Sequence, residues 1–451
     1  MTHFSQDSSR TLSEPKLEPP PPRNSPRLPL RAITQWLGLG GAVGVLCGAA
    51  SALFLALLQR ATDYRVHHEA IVYALPLAGA AIGYLYQRFG SAIRGGNNLV
   101  IDTIHDAGPQ IPLRMAPMVL GGTVLTHLFG GSAGREGTAV QIGASLADAV
   151  SHWLGLSSSM RRQLLAAGVA GGFGSVFGTP IAGAVFGLEF IVLGRIEYEA
   201  LVPALVASVA GDLTTRALGI EHTHYPAPGA LSLSPLVLLK WFAFSVALAL
   251  ITVCFIELVH FLKKQGEKRL PSLAVRCFVG GLCVVLLWKV WGTSDYLGLG
   301  VPMIVRSFTD HALPSTAFAA KLLFTAVTLG AGFLGGEVTP LFFVGAAAGN
   351  VLARVLGLPL GLGAGVGLAA VFAASANTPL ALSIMAVELL GANLFPHVVI
   401  VCVITYVLTG SRSIYSAQRL FREKGGLRLS SATPLRDLPA QQRGQAPSQK
   451  E

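Results

Sequence analysis

Apolar residues recur along the chain in long runs, separated by short polar or glycine-rich stretches. The first seven are Ile33–Leu58, Ala70–Tyr86, Pro117–Gly131, Leu164–Leu193, Leu201–Leu218, Leu231–Leu262 and Val275–Trp291. The pattern resumes through Ala317–Phe333, Val338–Leu356, Leu358–Ala374, Pro379–Leu390 and Val398–Thr409. About 20 apolar residues carry a helix across the hydrocarbon of a bilayer, so the longer runs predict membrane-spanning helices. The shorter runs predict helices that stop partway. Such ends are tolerated only when buried in protein or facing a water-filled cavity. The pattern therefore predicts an all-α membrane domain over 33–410, in halves of about 33–220 and 231–410. Segment 1–32, rich in Pro, Ser and charge, reads as a disordered cytoplasmic tail. Residues 411–451 read as a short C-terminal segment carrying Tyr415, then a cytoplasmic tail with no regulatory domain.

Composition sharpens this. Charged residues make up 12% of the chain, against about 25% in soluble domains, too few to cover a soluble protein's surface. The 52 glycines agree, since Gly is more frequent in membrane helices than in soluble ones. A net charge of +10 raises nucleic acid as a partner, but the basic residues lie mainly at the ends and in short loops. Three groups stand out: Arg10, Lys16, Arg23, Arg27 and Arg31; Lys263, Lys264, Lys268 and Arg269 in the loop His260–Arg269; and Arg412, Arg419, Arg422, Lys424 and Arg428. Positive-inside bias places all three groups in the cytoplasm, with an even number of crossings. The partner these charges imply is the lipid bilayer, not nucleic acid. Cys47, Cys254, Cys277, Cys283 and Cys402 lie within apolar runs without metal-ligand spacing, and read as small buried hydrophobes.

The two halves resemble each other. Gly134-Arg135-Glu136-Gly137-Thr138 and Gly335-Gly336-Glu337-Val338-Thr339-Pro340 each precede an apolar helix rich in small residues. Thr179-Pro180-Ile181-Ala182 leads to Glu189, and Thr378-Pro379-Leu380-Ala381 leads to Glu388 at nearly the same offset. Two ordered matches make duplication the better reading. Transporters are often built from inverted repeats with the substrate site between them, near the midplane.

Glycines ahead of an apolar helix let a ligand approach the backbone, and the helix start offers unpaired N–H groups. Those groups and the positive end of the helix dipole form an anion site without a buried cation. A carboxylate at bilayer depth is a functional candidate by default. Glu136 could therefore occupy the anion site itself and leave when protonated; the plainer alternative is an ion pair with Arg135 that holds the loop. For Glu337 the alternatives are a second functional acid or a carboxyl satisfied by its own backbone. Thr138 and Thr339 read as part cap and part lining. Glu189 and Glu388 read as structural, solvated near a membrane–water boundary. His127, the histidine nearest Glu136 in sequence, reads as a packing residue. An enzyme would need a nucleophile or metal cluster, and no HExxH motif occurs in the chain. No cofactor and no metal is expected.

At these motifs the chain resembles the CLC chloride channels and transporters, from about Gly40 to Gln418. Gly134-Arg135-Glu136-Gly137 with Val140-Gln141-Ile142-Gly143 is similar to the family's GREGP-xx-QIG segment. Gly335–Pro340 stands in the place of its GxFxP segment, and Leu164–Gly168 through Pro180–Gly183 matches the run between them. Ser413-Ile414-Tyr415-Ser416 falls where the family has its anion-coordinating tyrosine. The resemblance implies a homodimer with one pathway per subunit, each subunit an inverted repeat of tilted, broken and re-entrant helices.

Departures from the family pattern narrow the expectation. Thr138 replaces the GREGP proline, and Val338 replaces the GxFxP phenylalanine with Glu337 beside it. Gly96-Asn97-Asn98-Leu99-Val100 replaces GSGIP, with Asn98 aligned to the chloride-contacting serine and Asp102 just beyond. Phe190 stands where proton-coupled chloride members carry a cytoplasm-side glutamate. Together these resemble the fluoride-transporting branch, CLC-F, which implies a fluoride/proton antiporter of the bacterial inner membrane. Glu136 would then be gate and proton carrier, with Glu337 and Thr339 holding or relaying the proton. Asn98, Gly137, Val338, Thr339 and Tyr415 would bind fluoride or chloride, with Asn97 and Thr138 secondary. The alternative on the same fold is a chloride channel or chloride/proton antiporter.

Overall fold

The computed structural model describes residues 30–438 except 107, 194–195, 423 and 425–427. The expected N-terminal tail therefore lies outside the described residues as far as 29. From Leu30 the chain is already helical. The first half comprises α1 (Leu30–His67), α2 (Leu75–Phe89), α3 (Asn97–Asp106), α4 (Met115–Leu128), α5 (Glu136–Trp153), α6 (Ser158–Phe177), α7 (Pro180–Glu189) and α8 (Leu201–Ala217). The second follows the same order: α9 (Pro235–Arg269), α10 (Leu273–Trp291), α11 (Val301–Arg306), α12 (Ala317–Ala331), α13 (Val338–Leu356), α14 (Leu360–Ala376), α15 (Pro379–Leu390) and α16 (Phe395–Leu408). Equivalent helices pack on each other, α2 against α10 and α7 against α15. Among the described residues, five helical stretches are long and apolar enough to span a bilayer, and several others, such as α7 and α15, are shorter, as the run lengths predicted.

Breaks fall where backbone chemistry demands them. The single run Leu164–Leu193 is two helices, because Gly178 takes φ 75° at the end of α6 and Pro180 opens α7. The second half repeats the device with Asn377 at φ 59° and Pro379 opening α15. In lipid, helices gain little from hiding apolar surface, so close contact through small residues holds them together. A Cβ on Gly168 of α6 would lie 2.5 Å from the Gly143 carbonyl of α5, and one on Gly367 of α14 would lie 2.2 Å from that of Gly345 in α13. Gly168→Val is expected to cost about 1–3 kcal/mol through overpacking. Thermal unfolding in detergent should register it as a clear drop in Tm, which an unchanged Tm would contradict.

Three expectations are corrected. The stretch His260–Arg269 is the last part of α9, not a loop; the real connection to α10 is 270–272. Cys254 and Cys283 are exposed on their helices, while Cys47, Cys277 and Cys402 are buried. Glu189 and Glu388 are not simply solvated. Glu189 accepts the N–H groups of Leu380 (3.2 Å) and Ala381 (2.9 Å) at the start of α15. Glu388 accepts those of Ile181 (3.0 Å) and Ala182 (2.7 Å) at the start of α7. Each acid thus caps the broken helix of the other half, supplying unpaired N–H groups with an acceptor that the dipole favours. Glu189→Ala should cost about 1–2 kcal/mol, the scale of a lost cap, read as a lower Tm that Glu189→Gln partly restores.

The segment expected as a plain tail is folded as far as Leu438. Strand β1 (Val192–Leu193) pairs in parallel with β2 (Arg419–Arg422), which pairs antiparallel with β3 (Arg428–Pro434). Arg436 makes a two-pronged ion pair with Asp102 of α3 at 2.8 and 3.0 Å, and Arg419 pairs with Asp106. The hairpin is thereby fastened to the helix that carries Asn97 and Asn98.

Candidate functional site

The two duplicated motifs meet. Gly134 and Gly336 form an antiparallel bridge, with Gly134 N–H donating to Gly336 O at 2.6 Å and Gly336 N–H donating to Gly134 O at 2.8 Å. This brings the starts of α5 and α13 side by side. The approach needs glycine: a Cβ on Gly336 would lie 2.8 Å from Gly137 N, and one on Gly137 would lie 3.2 Å from the Gly336 Cα.

Across this junction one acid reaches the opposite helix start. Glu136 is fully buried, and its carboxylate reaches over to the start of α13. Thr339 N–H donates to Oε2 at 3.1 Å, and Thr339 Oγ1 lies 2.6 Å from both carboxylate oxygens. Arg135 N–H also donates to Oε2 at 3.1 Å, and its Nε donates to Oε1 at 3.4 Å. The Arg135 ion pair is therefore real, but it is one of several donors around a carboxylate seated on a helix N-terminus. Each of these hydrogen-bond partners can donate to the carboxylate, which is the coordination an anion requires. Glu337 has a carboxyl engaged by its own backbone N–H, while its Oε2 is buried without a hydrogen-bond partner, 3.5 Å from where a Gly137 Cβ would stand. It borders the start of α5.

The remaining predicted residues fall in two groups. Thr138 is buried and shares a hydrogen bond with Thr123 of α4 (Oγ1 to Oγ1, 2.8 Å), while Val338 is buried at the head of α13. Asn97 is buried, its Oδ1 has no partner, and its Nδ2 lies 3.0 Å from the Gly137 Cβ position. Asn98 turns its Oδ1 to the Ala417 N–H at 2.9 Å and so ties α3 to the Tyr415 segment. Between the two asparagines, the one expected to be secondary is the one beside the helix start.

Tyr415 is buried and packs edge-on against Phe190, with ring centroids 4.9 Å apart. The residue standing in for the family's cytoplasm-side glutamate thus supports the tyrosine. Gln418 fixes this segment: its Nε2 donates to Phe190 O (2.9 Å) and Ala376 O (2.7 Å), while its Oε1 accepts from Ser413 Oγ at 2.6 Å. His127 does pack, but through hydrogen-bond contacts: its Nδ1 and Nε2 lie 2.8 Å and 2.9 Å from the carbonyls of Thr123 and Ala133. Sequence reasoning passed over Lys321, a fully buried lysine inside an apolar run. An ionisable residue there is itself a signal. Among the described residues no group of His, Cys, Asp and Glu could hold a metal.

A duplicated helical membrane fold whose broken helices aim N–H donors at a buried carboxylate defines an ion-conducting membrane protein. The chain belongs to the CLC family: the profile described as voltage gated chloride channel matches residues 78–410. It is 44% identical over 412 residues to a chloride/fluoride channel protein of Pseudomonas syringae pv. tomato, covering 90% of this chain and 91% of the relative. The crystal structure of a CLC-type fluoride/proton antiporter superposes with a TM-score of 0.83 at 37% identity, covering 86% of this chain and 98% of that one. A slow cyanobacterial Cl−/H+ antiporter shares the fold with a TM-score of 0.75 at 18% identity, covering 83% and 94%. These findings agree with the membrane fold and the family branch that the motifs resembled.

Proposed function

We propose that the protein is a fluoride/proton antiporter that exports cytoplasmic fluoride across the inner membrane, working as a homodimer with both termini in the cytoplasm. The observation that carries this is the Glu136 carboxylate seated on the α13 N-terminus, where Thr339 donates both its N–H and its hydroxyl. Ionised, Glu136 fills the place of an anion. Protonated, it offers a hydroxyl to a set of donors, loses its match to them and gives way to fluoride. Proton uptake and anion entry are then alternatives at one position, which is the condition for exchange.

Fluoride binds water more tightly than chloride does, so a selective site must offer short, directed donors in its place. Thr339 supplies two from one residue, and the carboxamide of Asn97 lies at the neighbouring helix start. Tyr415 and Asn98 would line the route on the other side of Glu136. Glu337, with an unpartnered oxygen beside Gly137, is the second proton holder in this reading. The test of substrate is efflux from liposomes loaded with either anion. Fluoride efflux should far exceed chloride efflux, and comparable rates would move the protein to the chloride branch.

A further inference from the structure

Beside Glu136, with the neighbouring Arg135 in its lining, the fold contains a cavity of ≈490 Å³. The C-terminal end of α1 and the 294–303 segment wall it, and both Arg65 and Arg135 line it. Its acids, Asp63, Glu69 and Asp295, are exposed at the rim. Two of them are already engaged: Gln59 Nε2 donates to Asp63 at 2.8 Å, and Ser294 Oγ donates to Glu69 at 3.0 Å. The arginines differ from the rim. Arg65 is 6% exposed and its buried Nε has no hydrogen-bond partner.

A buried lysine lies behind this floor. A Cβ on Gly298 would lie 2.9 Å from Arg65 Nη2, so the guanidinium packs directly on that glycine. The Gly298 carbonyl accepts from the fully buried Lys321 Nζ at 2.6 Å, and Tyr296 O accepts from it at 3.1 Å. Lys321 is thus satisfied by neutral carbonyls, with the Phe343 ring 5.4 Å away. A buried guanidinium is costly, and the cost falls when an anion shares its site. The cavity gives that anion a place, and Arg135 connects it to the gate, because its Nε faces Glu136 Oε1 at 3.4 Å.

We propose that the cavity floor is an outer anion station, which holds a halide between Arg65 and Arg135 one step beyond Glu136. The station rests on the anion-export reading above and adds a binding step to it. An ion leaving past Glu136 meets two guanidinium groups before bulk water, and the acidic rim then favours its release outward. The planar guanidinium is weakly hydrated and takes any small anion, so the station need not share the selectivity of the Thr339 site.

Crystals of the full chain grown with bromide provide the test through anomalous scattering. Wild-type protein should show a bromide peak between Arg65 and Arg135; Arg65→Gln should lose it and Arg65→Lys should keep it. In liposomes, Arg65→Gln should slow fluoride efflux about ten-fold, the lower end of the range by which focused charge raises ion encounter rates, and Arg65→Lys should recover most of that loss. A monodisperse elution profile for each variant separates the effect from misfolding. Absence of the wild-type peak, or a peak that persists unchanged in Arg65→Gln, overturns the station. Failure of the wild-type protein to move fluoride would instead overturn the export reading, and the bromide result would still judge the station.

Discussion

Glu136→Gln should abolish proton counterflow while leaving the anion route in place. The amide matches the carboxyl in size but does not ionise. Its NH2 would also face Thr339 N–H, Thr339 Oγ1 and Arg135, which all donate to the native carboxylate. Hydrogen bonds to a charged group are worth about 1.5–3 kcal/mol each, so replacing an ion there by an amide costs enough to empty the position. Proton movement linked to fluoride should fall at least about 100-fold, the equivalent of two such tenfold steps at about 1.4 kcal/mol each. Recording pH and fluoride together in a liposome efflux assay reads it directly. Coupling that survives in Glu136→Gln would remove this residue from the proton route.

Thr339→Val should be the next most damaging change. Valine matches threonine in shape and keeps the backbone N–H, so the helix start is preserved while the hydroxyl 2.6 Å from both carboxylate oxygens is lost. At about 1.5–3 kcal/mol for a charge-assisted bond, fluoride should bind roughly 10- to 150-fold more weakly at this position. Thr339→Ser restores the hydroxyl and should restore most of the transport. The fluoride concentration dependence of efflux for the three proteins is the relevant measurement. If Val equals the wild type, the hydroxyl does not hold the transported anion.

Much of this was legible in the chain because local chemistry dictated it. The runs Val338–Leu356 and Pro379–Leu390 coincide with α13 and α15 as drawn, since a Pro or a glycine pair marks each start. The duplication of Gly-x-Glu-x-Thr pointed to two helix starts facing one pathway, and the Gly134–Gly336 bridge joins them. What stayed hidden depends on distant partners. Glu189 looked solvated because nothing near it in sequence needs an acceptor; its partners, Leu380 and Ala381, belong to the other half. Asn98 looked better aligned than Asn97, but a one-residue choice at a helix start is decided by packing against α5. The β1–β2–β3 sheet escaped because a two-residue strand has no period to read.

Antiport differs from passive conduction in one observable, uphill movement. Liposomes containing the purified protein, with equal fluoride on both sides and the membrane potential clamped at zero, should be given an acid external pH. Antiport predicts that protons enter and drive fluoride out against its developing gradient, an effect that a protonophore abolishes. If fluoride stays level under that pH step while flowing freely down its own gradient, the protein is a channel and Glu136 is a gate without a proton to carry.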